Sequence, residues 1–66
     1  MYFVTIMRLK NGKQAQMFHR SYKTKDDAEN RLSGFYEIEQ GDGRKTYRRK
    51  VNDVTSESAW IDESTG

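Results

Sequence analysis

"TKDDAENRLSGFYEIEQ", Thr24 to Gln40, decides how the rest of the chain is arranged. It reads as one helix. Thr24 is a good N-cap, and Asp27 stands three residues on, in a capping-box position. Asp26, Asp27 and Glu29 fill the first turns, where the positive end of the helix dipole favours acids. Ala28, Leu32, Phe35 and Tyr36 fall on one face at the 3.6-residue period. Gly34 lies off that stripe and weakens the helix by up to about 1 kcal/mol relative to alanine. "GDG", Gly41 to Gly43, then supplies a stop and a turn.

An amphipathic helix needs a sheet to lie on, and the flanking segments provide strands. "YFVTIMRL" (Tyr2 to Leu9) is rich in β-branched and aromatic residues. Asn11-Gly12 follows, a strong hairpin signal because both central residues of a type I′ turn need positive φ. "QAQMFHRSY" (Gln14 to Tyr22) is the return strand. A two-residue turn pairs Lys10 with Lys13. Carried through, that register puts Tyr2, Val4, Ile6, Arg8, Ala15, Met17 and His19 on one face. Phe3, Thr5, Met7, Leu9, Gln14, Gln16, Phe18 and Arg20 take the other, and a one-residue shift would regroup both sets.

Neither face is clearly polar, and one helix covers only one of them. The other is an interface for a partner or a second copy, unless the C-terminal segment with Val54, Trp60 and Ile61 folds back over it.

Beyond the helix, "GRKTYRRKV" (Gly43 to Val51) reads as a third strand. Tyr47, Arg49 and Val51 alternate with Thr46, Arg48 and Lys50. The second set is polar and should face water, leaving Tyr47 and Val51 toward the core. "SAWI" (Ser58 to Ile61) either forms a short fourth strand or docks Trp60, and "DESTG" reads as a flexible tail. The expected fold is α+β, ordered β-β-α-β with a possible short fourth strand. One helix packs on one face of a small antiparallel sheet. Residues 1–61 form a single domain and residues 62–66 the tail.

With 66 residues and a third of them charged, the chain is near the lower size limit for folding alone, so a dimer or a bound partner would add stability. It has no cysteine, so neither a disulfide nor a thiolate metal site supplements the core. No apolar run approaches the ~20 residues that span a bilayer. The N-terminus lacks the basic lead and small-residue cleavage site of a signal peptide. A cytoplasmic protein without a membrane partner is expected.

The net charge is +2, but it comes in alternating blocks: +6 over residues 1–25, −5 over 26–43, +5 over 44–51 and −4 over 52–66.

The chemistry of an enzyme is thinly represented. His19 is the one histidine, and no nucleophile-elbow pattern accompanies it. The acids Asp26, Asp27 and Glu29 serve the helix dipole rather than a metal, and no glycine loop has the lysine of a phosphate cradle. We expect no catalysis, cofactor, metal or small-molecule substrate.

The basic third strand is the best candidate surface. Arg44, Arg48 and Lys50 share one parity, with Arg20 and Lys13 of the hairpin extending the row, and such cations neutralise phosphates and release counterions. Phe3, Phe18, Tyr47 and Trp60 are the candidate stacking or interface residues. The competing explanation is a solvated edge strand, whose lysines and arginines prevent edge-to-edge pairing.

"SYKTKDDAENRL" (Ser21 to Leu32) resembles the strand-to-helix junction of integrase arm-type DNA-binding domains, where a basic hairpin strand leads through a Thr-Lys start into an acidic helix. The resemblance implies a nucleic-acid partner. The chain departs from that pattern in placing two strands, not three, before the helix, so the family's groove contacts do not carry over.

The leading expectation is a small non-enzymatic accessory or regulatory module contacting nucleic acid through the basic sheet. The alternative is a protein-interaction module, a phage-type inhibitor or adaptor or a homodimer, using the apolar sheet face or the acidic helix.

Overall fold

The capping chemistry at Thr24 works as the sequence requires, but the helix it starts is short. The structure is a computed structural model and describes residues 1–39, 41 and 45–64. Thr24 is extended (φ −123°, ψ 154°), and its hydroxyl oxygen accepts a hydrogen bond from the Asp27 amide at 3.1 Å. The helix, α1, spans Lys25–Arg31 and no more. The amides of Leu32 and Ser33 donate to the carbonyls of Glu29 and Asn30, at 3.0 and 3.2 Å, tightening the last turn. Gly34 then takes φ +92°, the left-handed region that glycine enters without a steric penalty. A Cβ there would meet nothing within 4 Å, so conformation rather than packing accounts for the glycine.

The continuous helix over Thr24 to Gln40 is therefore corrected. Past Gly34 the chain becomes a strand, in which Tyr36 and Ile38 alternate with Glu37 and Glu39 at period two. Adjacent Phe35 and Tyr36 satisfy a helical stripe as well as a strand entry, so the apolar pattern alone did not separate the two.

The element order is β-β-α-β-β-β rather than β-β-α-β: β1 Tyr2–Lys10, β2 Lys13–Tyr22, α1, β3 Tyr36–Glu39, β4 Lys45–Lys50 and β5 Thr55–Glu63. The strands form one antiparallel sheet in the order β2-β1-β5-β4-β3. "SAWI" lies within a nine-residue strand that pairs with both β1 and β4. The C-terminal segment thus does fold back, but into the plane of the sheet rather than over a face. The edges are β2 and β3, so β4 is not the edge strand. Asp62 and Glu63 belong to β5 rather than to a flexible tail, and the Ser64 amide donates to the Met1 carbonyl at 2.9 Å, while residues 65–66 of the expected tail lie outside the described residues.

The Asn11-Gly12 turn has positive φ at both residues, 53° and 78°, as the hairpin signal requires. Lys10 pairs with Lys13 and Leu9 with Gln14. The register then shifts between Leu9 and Arg8, so that Arg8 opposes Gln16, Ile6 opposes Phe18 and Val4 opposes Arg20. Ala15 is the extra residue of a β-bulge. Because side chains alternate, this one residue reverses the expected faces for the rest of β2. Phe18 and Arg20 join Val4 and Ile6, while Met17 and His19 join Thr5 and Met7.

The helix covers the face carrying Val4 and Ile6. Those two, with Ala59 of β5 and Ala28 and Leu32 of the helix segment, form the buried core, ringed by Tyr2, Tyr22, Phe35, Tyr47 and Ile61. Tyr47 thus looks inward as expected. Val51 does not: it lies beyond β4 and is 46% exposed, because the chain turns away there toward β5. No helix among the described residues is long and apolar enough to cross a membrane.

Candidate functional site

The register sorts the charges between the two faces of the sheet. On the helix side, Gln16, Arg8, Glu57 and Arg49 form one row across β2, β1, β5 and β4. The Glu57 side chain is only 4% exposed. One of its oxygens accepts from Arg8 Nε and Nη2, at 3.2 and 3.0 Å. The other accepts from Arg49 Nε at 3.0 Å and from Arg49 Nη2. Arg8 also lies over the Phe18 ring at 5.6 Å, and Arg49 over Phe35 at 4.7 Å. Lys45 pairs with Glu37 at 3.0 Å on the same side.

Burial alone would raise the Glu57 pKa. The guanidinium hydrogen bonds from Arg49 and Arg8 outweigh it and hold the carboxyl below its ordinary value. A depressed folded-state pKa stabilises the fold above the unfolded value, and that stability disappears as pH falls through the folded one. The gap in urea midpoint between the parent chain and Glu57→Gln should therefore be widest near neutral pH and close on acidification. A gap independent of pH would contradict the pairing.

The opposite side carries no helix, and among the described residues nothing packs on it. Register places Met17, Met7, Ser58, Arg48 and Tyr36 in one row spanning all five strands. His19, Thr5 and Trp60 form the next row, with Phe3 beside Asp62 beyond it. Toward the hairpin turn, Leu9, Ser56 and Lys50 make a further row. Thr5 and Ser58 are sunk among larger neighbours, and the Thr5 hydroxyl is 3.1 Å from His19 Nδ1. Phe3 and Met17 stay about two-fifths exposed, and Tyr36 is 62% exposed.

Acids largely avoid this side. Glu37, Glu39, Glu57 and Glu63 all project toward the helix side, and among described strand residues only Asp62 projects from the open one. Arg48 and Lys50 project there too, and neither makes an ion pair among the described residues.

At the hairpin end of the sheet lies a hollow of about 450 Å³, whose lining includes Leu9, Tyr36, Arg48, Lys50, Ser56 and Ser58 of the open face together with Arg49 and Glu57. Its rim is the β4–β5 loop, which also brings Asp53 to the lining. That loop is held in shape: Asn52 Oδ1 accepts from the amides of Val54 and Thr55 at 3.0 and 2.9 Å, and the Asn11 amide donates to the Val54 carbonyl at 2.7 Å.

The candidate residues from the sequence are thus divided. Arg48, Lys50, Phe3 and Trp60 share the open face. Arg20, Phe18 and Tyr47 lie on the helix side, Arg20 against the Tyr22 ring at 5.7 Å, so Arg20 does not extend the basic row. The Ala15 bulge moved Arg20 and Phe18 there. Arg44 lies outside the described residues. No family model, curated protein or solved structure matches this chain.

Tyr36 and the serine floor of the hollow were missed in the sequence. Tyr36 fits the helical stripe equally well, and the signal that separates the two is Gly34 two residues before it, followed by strict alternation through Glu39. No group of three or more metal-binding side chains comes together among the described residues.

Proposed function

We propose that this chain is a small non-enzymatic accessory module that contacts nucleic acid through the open face of its sheet, with Arg48 and Lys50 on phosphates. The observation that carries this reading is the sorting of charge. Helix-side Arg8, Arg49 and Lys45 are engaged by Glu57 and Glu37 and Arg20 lies against the Tyr22 ring, whereas Arg48 and Lys50, with no ion pair among the described residues, stand on the face from which most strand acids are absent. Surface cations not engaged by acids are suited to phosphate contact and counterion release. Affinity for nucleic acid should be measurable at low salt and fall linearly in log–log form as salt rises. A salt slope near zero, or no binding at low salt, contradicts the reading.

A protein partner or homodimer on the same face is the second reading, supported by the exposed Phe3, Met17, Tyr36 and Ile38. It requires a stable complex, visible in the molar mass in solution for a self-associating chain.

A further inference from the structure

We infer that the partner of the open face is a single strand, laid across the β-strands, with one nucleotide seated in the hollow beside Tyr36. The inference rests on the nucleic-acid reading and adds the substrate class and the seat.

Shape argues against a duplex. Neighbouring strands lie about 4.8 Å apart, so five of them span roughly 19 Å. The major groove of DNA is about 12 Å wide and admits a helix or a two-stranded ribbon. A five-stranded face does not enter it, and the single helix is engaged in covering the core on the other side.

The composition of the face suits unpaired bases. Aromatic side chains stack splayed bases regardless of sequence, while interleaved cations track the backbone. Trp60 and Phe3 occupy adjacent strands one row apart. Tyr36 stands directly beside Arg48, and Lys50 is two residues along the same strand, about 7 Å away. A base against the Tyr36 ring therefore has both cations within reach of its phosphates. The hydroxyls of Ser56 and Ser58 offer hydrogen bonds to the sugar or the base edge. A volume of about 450 Å³ is of the size small-ligand sites have, and the hydrogen-bonded rim means little ordering is needed on binding.

A second copy suits the face less well. A two-fold contact brings each patch against itself, burying Arg48 and Lys50 with few acids to receive them, and lysine is depleted from interface cores.

The chain has one tryptophan, so Trp60 fluorescence reports on the face directly. The chain should be titrated with oligo(dT), with oligo(U), and with a blunt DNA duplex of equal length, and its molar mass measured alone. Quenching by one or both single strands is expected, the two arms separating DNA from RNA, with at least tenfold weaker duplex binding. Tyr36→Ala and Phe3→Ala should each weaken single-strand binding by about fivefold to a hundredfold, the range of one lost stacking contact. Tyr36→Phe, which keeps the ring, should retain it, guarding against a mere disturbance of β3. Duplex binding as tight as single-strand binding, with no Trp60 response, overturns the single-strand inference and leaves the nucleic-acid reading standing. Binding of none of the three overturns both. A dimer whose Trp60 is shielded without nucleic acid overturns the inference in favour of a second copy.

Discussion

Leu32→Ala should cost about 3 kcal/mol of folding stability, within the range of roughly 2–5 kcal/mol for truncating a buried leucine. Tyr36→Ala, four residues on, should cost less than about 1 kcal/mol, the scale of one cross-strand pair. Leu32 is 3% exposed and packs with Ala28 against Val4, Ile6 and Ala59. It is the one large buried side chain that the helix segment contributes, and a seven-residue helix has little stability apart from such packing. A domain of this size has a total stability of roughly 3–10 kcal/mol, so the Leu32 variant should be largely unfolded at modest urea. Tyr36 begins β3 on the other side of Gly34 and stands mostly in solvent. In a continuous helix over Thr24 to Gln40, the two residues would share one apolar stripe and their truncations would cost similar amounts. Urea midpoints for the pair therefore discriminate between the two arrangements, and equal losses would reinstate the long helix.

Charge reversal at Arg48 and Lys50 should abolish nucleic-acid binding while leaving the fold intact. Both side chains project from the open face without an acidic partner among the described residues. Exposed substitutions of this kind usually shift stability by no more than about 0.5 kcal/mol. The milder pair Arg48→Gln and Lys50→Gln should lower the salt slope by about 1.4, at about 0.7 for each contact to a single strand. Arg20→Glu changes the charge by as much as either single reversal, but on the helix side, and should leave most of the binding in place. Persistent binding by the double reversal, or its loss with Arg20→Glu alone, would put the contact on another surface.

The parts of the fold set by local chemistry were legible in the sequence. Thr24 caps because its hydroxyl meets the Asp27 amide, and Asn11-Gly12 turns because both residues accept positive φ. The alternation of Tyr47 and Arg49 with Arg48 and Lys50 likewise carried through to opposite faces of β4. What escaped was decided by single residues with non-local consequences. Gly34 at φ +92° turns the chain out of the helical path just past the helix end at Arg31, although a glycine inside a helical pattern more often only weakens it. Ala15 forms a bulge that nothing in "KQAQM" announces, and it moves Arg20 and Phe18 across the sheet. The place of β5 between β1 and β4 is a matter of long-range pairing, which composition does not encode. The candidate site was accordingly half legible. Its cations were found by parity, whereas Tyr36 and the serine floor emerge only once β3 and β5 are in register.

Side-chain resonances during titration with oligo(dT) give the most direct view of which face binds. The Met7 and Met17 methyls and the Trp60 indole report on the open side, and the methyls of Val4, Ile6 and Leu32 on the helix side. The expected result is perturbation of the first group, greatest at Trp60, with the second group almost unmoved. Perturbation centred on Val4, Ile6 and Leu32, or none in either group at low salt, would contradict nucleic-acid contact through the open sheet face.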